Sequence, residues 1–344
     1  MTVEDRRAKP APATLHDVAR EAGVSLATAS RVLNGSARKV ADSFRERVEK
    51  AADALGYTAN ASAQATARGT SAVIALLVAD IADPYFGLIA SGVARGADED
   101  GLIVTVAITE RDPAREVRIL RALRGQRPRG VILAASRSGA HDGDAVAELS
   151  AFRDLGGRSV TFGPGGDRTI DVDNHGGAEN LGREMARIGY RRAIGLAGAA
   201  GVKTSDDRLA GFTAGFTAGG GTIEGVHRGT FERESGAASM ARALADGVEP
   251  GTLVFTLSDM VAVGAMTAIR EAGRSVGADI AVCGFDDVPI SRDVTPRLTT
   301  VRVPLSDLGY QAFRATVDED WHPTPTALEV LLRDSTPVVD RRVH

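Results

Sequence analysis

Ser25, Leu26, Ala27, Thr28, Ser30 and Arg31 bring hydroxyls, methyl groups and a guanidinium together in one short run. A guanidinium can pair bidentately with a guanine edge, while Leu and Ala can only pack on a thymine methyl or exclude a base. Such a set reads DNA only if one rigid element carries it. The stretch TLHDVAREAGVSLATASRVLN at 14–34 supplies that element. Thr14 can cap a helix, with Asp17 at the capping-box position. Leu15, Val18, Ala19 and Ala22 then fall on one apolar helical face. Gly23 ends that helix and is free to take positive φ at the turn. Ser25 caps a second helix, with Ala29, Val32 and Leu33 pointing inward and Leu26, Ala27, Ser30 and Arg31 pointing outward. Two short helices around a glycine turn make a helix-turn-helix, whose second helix lies in a major groove. An ordinary helical hairpin is the alternative.

A third helix is expected from about Ser43 to Leu55, with Phe44, Val48, Ala51 and Leu55 as its apolar face and Gly56 as its stop. Residues 1–13 read as a flexible tail, 14–57 as the headpiece, and 58–70 (TANASAQATARGT) as a linker with helical potential. From 71 to 340 the pattern changes to continuous apolar runs separated by helical segments: VIALLV, LIVTVAI, GVILAA, SVTF, AIGLAG, TLVF and IAVCGF. Such runs mean parallel strands covered on both faces. Their number predicts two doubly wound lobes, at about 71–163 plus 304–320 and 164–300 plus 325–340. Ligands in such folds bind at the carboxyl ends of the strands, hence between the lobes.

Composition narrows the class. At 344 residues and 43% hydrophobic content, two or three domains with substantial cores are expected. The single cysteine, Cys283, lies in an apolar run, which leaves no disulfide framework and reads as a buried structural thiol. The N-terminus has no apolar core of signal-peptide type, and no run approaches the ~20 apolar residues of a membrane span. A cytoplasmic protein without a membrane partner is expected. Residues 1–70 hold 11 Lys/Arg and 8 Asp/Glu, a charge of +3 against a total of −4, so the remainder carries −7. A basic headpiece on an acidic body suits DNA binding through one end.

Catalytic patterns are missing. No GxxxxGK[ST] can be laid on GLAGAAGVKTS at 195–205, no GxGxxG follows a strand, and no GxSxG is present. The six histidines are scattered, without metal-ligand spacing. Neither an enzymatic role, nor a cofactor, nor a metal is expected.

The headpiece, IADPYF at 81–86, DRLAGF at 207–212, TFERESG at 230–236, SDMVAVGAM at 258–266, VCGFDD at 282–287 and LTTVRVP at 298–304 occur in order. With these blocks the chain, from Thr14 to about Thr336, resembles the lactose/galactose repressor (LacI/GalR) family. The resemblance implies a helix-turn-helix headpiece, a hinge helix and an α/β periplasmic-binding-protein-like core of two doubly wound parallel-sheet lobes. It implies a homodimer on near-palindromic operator DNA, controlled by a small-molecule effector, sugar or sugar-like, in the cleft. Thr14, Ser25, Leu26, Ala27, Thr28, Ser30, Arg31, Asn34 and Thr66 form the expected DNA-binding set. For the effector it implies stacking on Tyr85, Phe86, Phe231 and Phe285 and polar contact from Arg208, Ser258 and Asp286, with Arg208 and Asp286 expected on opposite lobe segments. Without the resemblance, Phe231 and Phe285 read equally well as core, Arg208 as a local ion pair and Asp286 as a turn residue.

Two positions depart from the family pattern. Thr66 stands where a hinge leucine commonly wedges into the minor groove, and Ala59 replaces a common proline. A threonine offsets base unstacking poorly, so a weaker central kink is expected. Gly163 stands where sugar-binding relatives often carry an acid. No leucine heptad tail is seen before His344, so no tetramerisation helix is expected. The reading is an effector-controlled transcriptional repressor. A solute-binding protein of an uptake system and a sugar-handling enzyme are the alternatives. The missing export signal and the added headpiece oppose the first, and the missing motifs oppose the second.

Overall fold

The structure is a computed structural model that describes residues 13–33, 40–58, 71–134 and 142–339. The chain divides into two compact units, Met1–Ser71 and Ala72–His344.

In the first unit, helices α1 (Leu15–Glu21), α2 (Leu26–Leu33) and α3 (Asp42–Ala54) surround a small core of Val18, Ala19, Ala22, Ala29, Val48, Ala51 and Ala52. Thr14 caps α1 in a full capping box, its hydroxyl accepting from the Asp17 N–H at 3.3 Å while the Asp17 carboxylate accepts from the Thr14 N–H at 3.0 Å. Gly23 takes φ +62° between α1 and α2. There Arg47 of α3 donates from Nε to the Ala22 carbonyl at 3.0 Å, closing the turn with a charge-assisted bond. The sequence reading of α3 needs correction. Val48 and Ala51 are buried, but Phe44 and Leu55 are 42% and 37% exposed, and Ala52 takes the inward place. The core is built from five alanines and two valines, so it has no room for Phe44. Its ring lies outside, with the Arg47 guanidinium 5.5 Å from its centre.

The second unit alternates strand and helix: β1 (Val73–Val78), α4 (Pro84–Glu99), β2 (Ile103–Ile108), α5 (Pro113–Gln126), β3 (Gly130–Leu133), α6 (Asp142–Asp154), β4 (Arg158–Phe162) and β5 (Arg168–Ile170). These strands form one parallel sheet of order β2-β1-β3-β4-β5. A second parallel sheet of order β7-β6-β8-β9 follows, from β6 (Arg192–Ala197), β7 (Thr222–Arg228), β8 (Leu253–Thr256) and β9 (Ala281–Cys283). Its helices are α7 (Asn174–Arg187), α8 (Lys203–Ala218), α9 (Arg233–Ala245) and α10 (Asp259–Glu271). The short α11 (Ile290–Asp293) leads to β10 (Thr300–Arg302). Then α12 (Leu305–Val317) returns to pack on α4 and the first sheet, and β11 (Glu329–Leu331) pairs antiparallel with β10. One difference from the sequence reading is β5. It falls in the segment given to the second lobe, yet it pairs with β4, because the turn after Phe162 returns the chain alongside the same sheet.

The strands are apolar because both faces are covered. Ala75, Leu77, Val131 and Leu133 pack outward on α5 and α6. The other face, with Ile74, Leu76 and Ile132, joins Leu181, Phe212, Phe255, Phe285 and Phe313 in one continuous cluster across both lobes. Phe212 stacks on Phe255 at 4.2 Å between centroids. Each such buried side chain contributes roughly 1.5–3 kcal/mol. Helix starts are written in the sequence: Asp83 and Asp112 accept N-cap bonds with Pro84 and Pro113 as first helical residues, and Ser258 caps α10. Helices α7 and α8 cross so closely that a Cβ on Gly215 would lie 1.9 Å from the Glu179 carbonyl oxygen.

Candidate functional site

Helix α2 carries the candidate DNA-reading face. Ser25, Leu26, Ala27 and Arg31 are exposed, Thr28 and Ser30 are half-buried, and Ala29 is buried against α1 and α3. The helical period predicts this division for Leu26, Ala27, Ala29 and Arg31; Ser30, expected outward, is half-buried like Val32 and Leu33. Two hydroxyls are engaged at the helix start: Ser25 Oγ accepts from the Thr28 N–H at 3.1 Å and lies 2.8 Å from Thr28 Oγ1. Thr14 likewise directs its hydroxyl to Asp17 at 2.7 Å. Arg31 is therefore the strongest candidate for reading a base on the exposed face. Asn34 and Thr66 lie outside the described residues.

The second candidate site is a cavity of about 180 Å³ walled by Asp80, Ala82, Asp83 and Arg111 on one side and Phe231, Glu232, Arg233, Glu234 and Met260 on the other. The first group follows strands β1 and β2; the second group flanks β7 and opens α9 and α10. Both walls thus come from the carboxyl ends of parallel strands, one from each lobe, the place such folds offer to ligands. Tyr85 and Phe86 stand at the start of α4 with their rings 5.0 Å apart and nearly perpendicular. Phe86 is buried and Tyr85 half-buried. Burial raises the Tyr85 phenol above its usual range, with the Asp286 charge adding to the shift, so it stays protonated.

Away from the cavity wall lies a buried ion pair. Arg208 Nη2 is 2.8 Å from Asp286 Oδ1, with side chains only 2% and 5% exposed. Arg208 also donates from Nε to Asn174 Oδ1 at 2.7 Å and from Nη1 to the Leu257 carbonyl at 2.8 Å. Its guanidinium lies 3.9 Å from the Phe285 ring centre. Each guanidinium nitrogen and one face of the group thus contact protein, Nη2 through an ion pair rather than a hydrogen bond. Asp286 holds φ +117°, a region non-glycine residues rarely enter. Burial raises its carboxyl to about 7, although Arg208 pulls the other way. A buried pair of this kind is strongly interdependent: removing one partner leaves the other charge uncompensated, at about 3–5 kcal/mol.

These positions correct one sequence expectation. Arg208 and Asp286 do not sit on opposite lobes; α8 follows β6 and Asp286 follows β9, both strands of the second sheet. Ser258 is 6% exposed and its hydroxyl accepts the Val261 N–H at 3.4 Å as the cap of α10. Phe231 does line the cavity. Phe285 is fully buried beneath Arg208. The sequence reading missed Arg111 and Asn174. Arg111 sits in the turn after β2, and the rule placing ligands at strand ends points to that turn; Asn174 carried no such signal.

Comparison with known proteins decides the family. Residues 14–60 match the bacterial regulatory proteins of the lacI family, and residues 183–342 match a periplasmic binding protein-like domain. The regulator GalS of Salmonella typhimurium is 32% identical over 302 residues, covering 86% of each chain. The chain belongs to the lacI family of bacterial regulatory proteins. It is a helix-turn-helix transcriptional regulator with a periplasmic-binding-protein-like core. The regulator CelR of Thermobifida fusca is 30% identical, over 96% of this chain and 99% of its own. Among solved structures, the lac repressor dimer bound to operator and the anti-inducer ONPF superposes with a TM-score of 0.82 at 27% identity, covering 95% of this chain and 100% of that one. A CelR–cellobiose complex gives 0.66 at 28% identity, covering 94% and 99%. Among the described residues no helix is long and apolar enough to cross a membrane.

Proposed function

We propose that this chain is a cytoplasmic, homodimeric repressor that binds near-palindromic operator DNA and changes its operator affinity when a small polyhydroxylated metabolite occupies the cleft. The observation that carries the reading is the conjunction, in one chain, of an exposed recognition-type helix and a polar, aromatic cavity walled from both lobes. Two α2 helices on a dimer read two half-sites, so the symmetry of the protein mirrors that of the DNA. Arg31 reads a base; Ser25, Thr28 and Ser30 reach backbone or base edges; Leu26 and Ala27 pack on thymine methyls. In the cleft, Tyr85, Phe86 and Phe231 supply ring faces for the apolar side of a sugar, as aromatic walls do in carbohydrate-sized sites. The Arg208–Asp286 pair supplies directional hydrogen bonds, which the ligand gains by entering the network that now joins Arg208, Asn174 and Asp286.

The effect on DNA is a reciprocal coupling energy, typically ~1–3 kcal/mol. An inducer and a corepressor use the same parts with opposite sign. The experiment is a thermal-shift screen of sugars, sugar acids, polyols and nucleosides, followed by operator titration with each compound that stabilises the fold. A compound that raises Tm and shifts operator affinity supports the reading. Compounds that bind without any effect on DNA affinity would instead favour a storage or uptake role.

A further inference from the structure

Arg111 enters the cleft from the turn between β2 and α5. Its guanidinium lies 4.4 Å from the Phe231 ring centre in one lobe and 5.8 Å from that of Phe86 in the other. Its Nε is buried and has no hydrogen-bond partner among the described residues. No ion pair to Arg111 forms within 4.0 Å among those residues either. An unmatched donor on a desolvated cation is expensive to maintain. The backbone that aims it is also unusual: Glu110 and Arg111 take φ +54° and +55° in succession. Two consecutive left-handed non-glycine residues persist only when their surroundings hold them. Here Thr109 donates its hydroxyl to the Val78 carbonyl at 3.2 Å, and Asp112 caps α5 by accepting from the Ala114 N–H at 2.9 Å.

The acids near Arg111 have other partners. Asp80 accepts from the Ala82 N–H and Asp83 from the Tyr85 N–H, each at 2.9 Å. Glu232 accepts from the Thr230 hydroxyl, and Glu234 pairs with Arg233 at 3.4 Å. Burial pushes the Arg111 guanidinium below its usual range, while the fields of Glu232, Asp83 and Asp80 oppose that shift and keep it charged. Arg111 thus stands in the cleft with its guanidinium against two rings and with an Nε–H that has no acceptor among the described residues. At about 180 Å³ the cleft is smaller than the roughly 300–1,000 Å³ of drug-sized sites, which suits a single sugar unit.

We infer that Arg111 is a specificity residue for an oxyanion on the effector, so that the cleft takes a monosaccharide-sized acidic sugar in preference to its neutral parent. The inference rests on the reading of this cleft as the effector site. A carboxylate and a phosphate share the chemistry, since either offers the planar or clustered oxygens that a guanidinium fork matches. The ring contacts on Phe231 and Phe86 hold the fork in place before the ligand arrives, which lowers the ordering cost of binding.

The test is calorimetric titration of the full chain with three matched sets: neutral hexoses, their uronic and aldonic acids, and their phosphates. Arg111→Ala and Arg111→Met are compared with the parent protein, the second keeping an unbranched side chain over the rings without charge. At least one acid or phosphate should bind more tightly than its neutral parent. Both variants should lose about 10- to 150-fold for that anion and little for the neutral sugar. Which anionic set binds identifies carboxylate or phosphate. The inference is overturned if no anionic sugar binds, if neutral sugars bind as tightly as anionic ones, or if both variants bind the anion as the parent does. Phe231→Ala separates the two levels: anion binding that survives its loss unchanged would place the ligand elsewhere and remove the cleft reading itself. Anion binding that needs Phe231 but is indifferent to Arg111 would sink the Arg111 inference alone.

Discussion

Arg31, Arg111 and Arg208 carry the same guanidinium into three different surroundings. Arg31 is exposed on α2 and free to meet a base edge. Arg208 is closed into a ring of protein acceptors. That closure changes what its mutants should do. Alanine at Arg208 or at Asp286 should abolish effector response, and alanine at Asp286 should also cost the core about 3–5 kcal/mol, because the Arg208 charge is stranded. Asp286→Asn keeps the shape and should retain the fold. Its effector affinity should fall about 10- to 150-fold, while operator binding without effector stays unchanged, as paired calorimetry and gel-shift titrations would show. An Asp286→Asn protein with full effector affinity would disprove the contact. Asp286 also sets a pH dependence. Burial raises its carboxyl to about 7, so the folded state holds a proton that the unfolded chain releases near pH 4. Its contribution to stability is therefore complete below about pH 4 and is lost as pH rises through about 7. Thermal unfolding from pH 5 to 8 should show Tm falling with pH in the parent more than in Asp286→Asn.

At the scale of elements, close helix packing and a buried acid tie the core together. Helix α8 approaches α7 through Gly215, where a Cβ would meet the Glu179 carbonyl at 1.9 Å. Gly215→Ala should push the helices apart and destabilise the core by about 1–3 kcal/mol, read as a lower midpoint in denaturant unfolding. Asp287, just after β9, is held by Arg292 at 2.8 Å and Arg302 at 3.1 Å and by Arg333, joining α11, β10 and the segment after β11. Burial opposes its ionisation, but hydrogen bonds from Arg292, Arg333 and Arg302 bring it down to about 2. That stability is present above the unfolded value near 4 and is lost as pH falls through about 2. Two of the arginines are about half exposed, so solvent screening limits the effect to on the order of 1–2 kcal/mol. Acid unfolding of Asp287→Asn should be correspondingly less steep over that range. Legibility in the sequence also follows element by element. VIALLV coincides with β1 because a central strand covered on both faces is a continuous apolar run. Strand β7 (TIEGVHR) escaped notice because, at the sheet edge, it alternates exposed and half-buried residues. Three-residue β5 and β10 carry too few residues for any pattern. Arg111 escaped for a different reason: its role comes from two left-handed residues and two rings distant in sequence, and no local spacing records that.

At the scale of the whole molecule, sequence-specific DNA binding through α2 is the claim on which the rest depends. For Thr66, which lies outside the described residues, we propose a hinge role at the operator centre. Thr66→Leu should tighten operator binding and increase bending in a circular-permutation assay, since a larger apolar side chain better offsets unstacking. No change in either would remove the hinge role assigned to that position. The most direct measurement of the central claim is selection of bound duplexes from a random-sequence pool by the full chain, followed by titration of the selected site with parent and Arg31→Ala proteins. The account predicts one near-palindromic motif. It predicts binding weakened by about 1–3 kcal/mol in Arg31→Ala, with relaxed preference at the base that Arg31 reads. A pool that yields no motif, or a parent protein that binds selected and random DNA equally, would contradict it.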